Sequence, residues 1–147
     1  MKTKSLFFAA LMCMMMCSLV SFADDERVVP PDQLPKAAKT FLGEYFSVPV
    51  SYVKKDVSMF DTEYEVRLTN GIEIEFNRKG DWKKVDCKFQ AVPSELIPDV
   101  IAQHIESAHP GEMIVKIDRK NYGYEIELST DLEIMFDEAG QFLGYDY

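Results

Sequence analysis

Cysteine, histidine and tryptophan are nearly missing from this chain: among 147 residues there are three Cys, two His and one Trp. Two of the cysteines, Cys13 and Cys17, lie in an apolar N-terminal run, which leaves Cys87 alone in the remainder. One thiol cannot make an internal disulfide, so the fold has no covalent staple. Cys87 sits in the alternating stretch Val85-Asp-Cys-Lys-Phe89 with no histidine near it in sequence. A small buried hydrophobe, on the same side as Val85 and Phe89, fits that setting better than a reactive thiol. His104 and His109 are five apart, a poor same-face spacing on a helix, and form no H-E-x-x-H pattern. No serine has the setting of a nucleophile elbow. The segment 56–61 lacks a calcium-binding ladder of ligands, and nothing cradles phosphate. The expectation is a protein that is not an enzyme, with no cofactor and no metal site.

Positive charge is also scarce. The chain has 16 basic and 25 acidic residues, net −9. Residues 1–23 read as an export signal: Lys2 and Lys4, an uncharged apolar run over 5–20, then Ser21-Phe-Ala23 before Asp24-Asp-Glu26. The run is short for a bilayer span, and Met12 and Met16 precede the cysteines where a lipoprotein needs a small residue. Without Lys2 and Lys4 the mature part would keep 14 basic residues against 25 acidic, net −11. Such a domain repels phosphate, which argues against nucleic acid and anionic membranes as partners. A periplasmic or secreted location is expected, with no membrane insertion after signal cleavage.

What the chain does contain is an internal repeat. Tyr64-Glu-Val-Arg-Leu-Thr-Asn-Gly-Ile-Glu-Ile-Glu-Phe76, leading to Gly80-Asp-Trp82, returns without a gap as Tyr124-Glu-Ile-Glu-Leu-Ser-Thr-Asp-Leu-Glu-Ile-Met-Phe136, leading to Gly140-Gln-Phe142. Residues 24–33 read as a flexible polar tail. Each repeat, 34–92 and 93–147, begins with a helix after Pro35 or near Pro98. Four strands follow, near 50–56, 64–69, 72–77 and 82–89, then 113–119, 124–129, 132–137 and 142–147. The expected fold is α+β: a tandem repeat of a helix plus a four-stranded antiparallel meander, within one globular domain, helices on one face of the sheet.

Alternation assigns the faces. Tyr64, Val66, Leu68, Ile72, Ile74 and Phe76 point to a core; Glu65, Arg67, Glu73 and Glu75 point away. A two-residue turn at Asn70-Gly71 would set Leu68 opposite Glu73. A three-residue loop pairs Leu68 with Ile72 and puts Gly71, or Asp131 in the second copy, at the left-handed position. The same register sets Arg67 opposite Glu73 but Glu127 opposite Glu133, a repulsion that replacing Glu127 with arginine should relieve.

The arrangement resembles the bacterial PepSY-like family, whose fold is compared with the β-lactamase inhibitor protein. The resemblance spans nearly the whole mature chain. It rests on the Leu34-Pro35 and Ile97-Pro98 helix starts, the Tyr-Glu-Val/Ile strands, Asn70-Gly-Ile-Glu-Ile-Glu-Phe76, Gly80-Asp-Trp82, Val85-Asp86 and Val92-Pro93. Asp131 and Phe142 depart from the pattern of the first copy. The resemblance implies a secreted module with two helices against an extended antiparallel sheet, and it brings no catalytic residues.

The remaining candidate is the polar sheet face, with Arg67, Glu73, Glu75, Glu125, Glu127 and Glu133 projecting from it beside Glu65 and Met135. A four-residue turn at 77–80 would send Val85 and Cys87 inward and Trp82 outward; a three-residue turn would do the reverse. The first suits Val85 and Cys87 better. Trp82 and Phe142 would then be either aromatic anchors amid glutamates or aromatics closing the core of each repeat. The expected function is recognition of a protein or peptide through this face, a basic one included. The alternative is binding of a cation or small ligand by the clustered glutamates.

Overall fold

A computed structural model describes residues 25–146. Nine strands form one antiparallel sheet in which every neighbour in space is also the neighbour in sequence. They are β1 (Asp25–Val29), β2 (Val50–Val57), β3 (Thr62–Leu68), β4 (Glu73–Phe76), β5 (Trp82–Asp86), β6 (Ile114–Lys120), β7 (Gly123–Leu128), β8 (Glu133–Asp137) and β9 (Phe142–Asp146). Two helices interrupt the meander, α1 (Lys36–Tyr45) and α2 (Asp99–Ala108).

This corrects the expected architecture. The described residues are not a tandem repeat of a helix plus a four-stranded meander but mostly a single nine-stranded sheet, with only two α-helices among them. Two features overturn the reading. Strands β5 and β6 pair through Lys84↔Asp118, Val85↔Ile117 and Asp86↔Lys116, so the ladder runs on where one meander was expected to end. Residues 25–29, read as a flexible tail, add a further strand that pairs with β2 from Asp25↔Val57 to Val29↔Val53. Their polarity misled because the ladder is made by backbone groups, and one apolar side chain, Val29, is enough to seat the strand on the core. The expected export signal lies outside the described residues.

The core is a row of side chains crossing all nine strands. Val29, Val53, Val66, Ile74, Val85, Ile117, Ile126, Ile134 and Tyr145 stand opposite one another in turn. Successive strand residues face opposite sides, so Tyr64, Phe76, Phe136 and Leu128 share this face. Both helices cover it. Ala38 and Leu42 of α1 are buried in the same cluster as Ile101 and Ile105 of α2. Phe41 meets Phe76 edge-on at 5.5 Å, and His104 meets Phe136 in the same manner at 5.3 Å.

The β3–β4 and β7–β8 hairpins have three-residue loops. Leu68 and Ile72 are joined by a backbone bond of 2.9 Å, as are Leu128 and Leu132. Gly71 has φ +91° and Asp131 φ +63°, so both occupy the left-handed region. At Gly80, also φ +91°, a Cβ would come within 2.8 Å of the Ala38 nitrogen and of Pro35. This loop therefore lies directly under the start of α1, and only glycine allows both the turn and the approach.

Candidate functional site

The face opposite the helices carries two charged rows. Tyr52, Arg67, Glu73, Asp86, Lys116, Glu127, Glu133 and Asp146 form one, each opposite the next. Lys54, Glu65, Glu75, Lys84, Asp118, Glu125, Met135 and Gly144 form the other. At about 4.8 Å per strand, the eight spacings make a surface on the order of 40 Å across. No helix among the described residues covers it.

Six of the candidate residues, Arg67, Glu73, Glu75, Glu125, Glu127 and Glu133, lie on this face, but the glutamates are not a bare acidic patch. Glu73 binds Arg67 at 3.0 Å and Lys88 at 2.9 Å. Glu75 binds Lys84 at 2.7 Å. Lys120 lies 2.6 Å from Asp118 and 3.8 Å from Glu125. Lys116 bonds both Glu127, at 2.9 Å, and Glu133, at 3.2 Å. Burial opposes its charge, yet these two carboxylates more than offset that and raise its pKa. The expected uncompensated repulsion between Glu127 and Glu133 is therefore absent. Its relief comes from Lys116 on β6, the other neighbour of β7, which the hairpin of β7 and β8 taken by itself leaves out. The available signal was the alternation of Lys116, Asp118 and Lys120 with Val115 and Ile117.

Trp82 and Phe142 are on the other face. Glu75 opposes Lys84 while Phe76 opposes Trp82, so Lys83 is an extra residue bulged out of β5. The bulge lets Trp82, Val85 and Cys87 all face the core, an outcome that neither turn length considered from sequence could give. Trp82 is 8% exposed. Phe41 lies 6.2 Å from its ring and the Arg119 guanidinium 3.6 Å from its centroid. The second copy repeats the device, with Leu143 extra between Met135↔Gly144 and Phe136↔Phe142. Phe142 stacks on His104 at 5.1 Å and stays 41% exposed. Of the two readings of this pair, anchors on the polar face are therefore ruled out, and both rings close the helix side of the sheet instead. Phe89 likewise leaves the side of Cys87, because the chain turns at Lys88 (φ +59°) and Phe89 projects into solvent.

The chemistry of the remaining groups is quiet. Burial, aided by the Asp86 charge, pushes the Cys87 thiol up to about 11, so it is a neutral thiol at ordinary pH. Among the described residues no three His, Cys, Asp or Glu side chains converge to hold a metal ion. Nor is any described helix long and apolar enough to cross a membrane.

Residues 62–144 match the family described as "Putative beta-lactamase-inhibitor-like, PepSY-like", and the chain belongs to this PepSY-like family. Similar solved structures agree. A protein of unknown function from Bacteroides vulgatus, proposed to be periplasmic, is 40% identical, with 83% of this chain and 99% of that one covered at a TM-score of 0.80. A second proposed periplasmic protein from the same organism is 36% identical, covering 85% and 99% at 0.79. A proposed calcium-regulated periplasmic protein from Bacteroides thetaiotaomicron is 33% identical, covering 84% and 98% at 0.79. These neighbours support an envelope or periplasmic location. No functionally curated protein matches the chain.

Proposed function

We propose that this is a non-enzymatic binding module of the bacterial envelope that recognises a protein or peptide across the outer face of its sheet. One observation carries the reading: among the described residues no helix covers one whole face of a nine-stranded sheet, and that face is patterned in fixed ion pairs. Side chains already held by cross-strand partners lose little further freedom on binding. Alternating signs favour a partner of matching pattern and penalise others. The candidate contacts are Arg67, Glu73, Glu75, Glu125, Glu127 and Glu133. The test is retention of a protein from envelope extract at low salt by immobilised wild type, beside a Glu75→Lys, Glu125→Lys variant. A partner held by wild type and lost by the folded variant supports the reading. No retention, or equal retention by both, overturns it.

A second reading has its own observation. Asp56 Oδ1 is enclosed with no hydrogen-bond partner, in a cleft of about 180 Å³ lined by Glu26, Glu63, Glu65 and Glu75. One structural neighbour is described as calcium-regulated. Against a cation here, Lys54 already binds Glu26 at 2.8 Å, and Lys83 and Lys84 hold Glu63 and Glu75. Calorimetry with calcium at millimolar concentration decides: heat that disappears in Asp56→Asn would replace the first reading with this one.

A further inference from the structure

The two helices cover their halves of the sheet in matching fashion, and one difference between them opens a groove. Phe41 of α1 meets Phe76 edge-on as His104 of α2 meets Phe136, which sets Ala37 in the place of Val100. Both residues stand over a turn glycine. A Cβ at Gly80 would come 3.2 Å from that of Ala37, and one at Gly140 would come 3.2 Å from that of Val100. The two methyl groups that valine adds in the second half are missing from the first. Here a groove of about 650 Å³ follows α1, with Ala37, Phe41, Tyr45, Gly80 and Trp82 in its lining. Small-ligand sites fall in the range of about 300–1,000 Å³.

Arg119, also in the lining, sets what the groove can take. Its guanidinium lies 3.6 Å from the centre of the Trp82 ring and makes one long bond, 3.5 Å, to the Trp82 carbonyl oxygen. It forms no ion pair among the described residues. On the outer face, by contrast, Arg67, Lys84, Lys88, Lys116 and Lys120 are each bound to carboxylates. A guanidinium stacked on a ring keeps the N–H groups of its edge free, in the fork that holds a carboxylate by two bonds. Lys36 lines the same groove and is likewise without an ion pair among the described residues. Two carboxylates share the lining. Asp81 accepts a bond from Asn77 at 3.1 Å, and Glu44 lies toward the other end of α1, about 12 Å along the helix from Lys36. Their charge disfavours a polyanion and leaves a single carboxylate as the better match.

We propose that this groove binds a small aromatic monocarboxylate, its ring against Phe41 and Tyr45 beside Trp82 and its carboxylate on the edge of Arg119. The rings supply apolar area and aromatic contact, and the guanidinium fixes the orientation. The site lies on the helix side of the sheet, so it does not depend on the reading of the outer face.

The probe is 3-phenylpropionate, titrated into the purified protein and followed by calorimetry and by the emission of Trp82. It should bind saturably, with a dissociation constant of about 1 mM or lower. The amide 3-phenylpropanamide keeps the ring without the charge, and acetate keeps the charge without the ring. Each should bind at least about tenfold more weakly. Arg119→Gln should weaken the acid by a similar factor and leave the amide unchanged. Ala37→Val, which gives the first half the residue of the second, should weaken acid and amide alike. Glu75→Lys on the outer face should alter neither, so failure here and failure of the outer-face reading are told apart. No saturation by about 10 mM, equal binding of acid and amide, or an Arg119→Gln protein that binds as wild type would each overturn the proposal. So would binding of a peptide that ends in phenylalanine without binding of the free acid, which would assign the groove to a chain terminus instead.

Discussion

Lys116 donates to Glu127 at 2.9 Å across the β6–β7 ladder, and the same ammonium reaches Glu133, the residue opposite Glu127 on β8. One cation thus relieves a pair of carboxylates that register alone would leave in repulsion. The prediction made from sequence changes sign. Glu127→Arg removes the partner of Lys116 and sets two cations side by side, so it should destabilise the protein by roughly 0.5–1.5 kcal/mol. Lys116→Met should cost a similar amount, about 1–2 kcal/mol, with a loss that shrinks in high salt as the exposed carboxylates are screened. Urea unfolding at low and high salt measures both. A stabilised Glu127→Arg protein would show that Lys116 does not occupy this bridge in solution.

Trp82 is the only tryptophan in the chain, which makes its surroundings directly readable. Packed beneath Arg119 and beside Phe41, it should emit in the blue and resist quenching by iodide. Trp82→Ala should cost roughly 3–5 kcal/mol, the usual loss for a large buried aromatic. Arg119→Ala should admit quencher while costing only about 0.5–1 kcal/mol, the size of an exposed cation–π contact. A red, readily quenched emission from wild type would place the ring on the outer surface after all.

Much of the fold was legible because the central strands alternate without interruption. Tyr64, Val66 and Leu68 against Ile72, Ile74 and Phe76 fix both the faces and the three-residue loop, since any other loop puts leucine opposite glutamate. What escaped has a common cause. A β-bulge shifts every later side chain by one, and neither Lys83 nor Leu143 differs in type from its neighbours in any way that announces it. Periodicity therefore leaves Trp82 and Phe142 open between outer anchors and aromatics that close the core, while it places Val85 correctly, and the bulges decide for the core side. Likewise Lys116 reaches past Glu127 on β7 to Glu133 on β8, two strands away, a contact that pairwise register does not show. Lys116 meets Asp86 only because β5 and β6 adjoin across a helix and its connections, and no local period encodes that adjacency.

Strand β1 provides a separate test of that continuity. Val29 is buried opposite Val53, and Glu26 bonds Lys54 at 2.8 Å. Val29→Asp would put a carboxylate into the apolar row and should destabilise the protein by about 2 kcal/mol or more. Val28→Asp, on the exposed side of the same strand, should change stability by less than about 0.5 kcal/mol. Equal, negligible effects in thermal unfolding would mean that residues 25–29 do not dock.

The last test uses the buried thiol. Burial and the Asp86 charge push Cys87 up to about 11, above the ordinary thiol value near 8.5. The folded state thus keeps a proton that the unfolded chain releases, so its advantage is intact below about pH 8.5 and is lost as pH rises through about 11. The full loss is on the order of 3 kcal/mol. Cys87→Ala removes this dependence while giving up some packing, so it should be the less stable protein at pH 7 and should draw level with or pass wild type near pH 10.5. Lysines such as Lys116 also titrate at the alkaline end, but they are common to both proteins and cancel in the difference. Denaturant unfolding of the pair from pH 7 to 10.5 reads the crossing. Parallel curves would mean that the Cys87 thiol titrates as freely in the folded protein as in the unfolded chain.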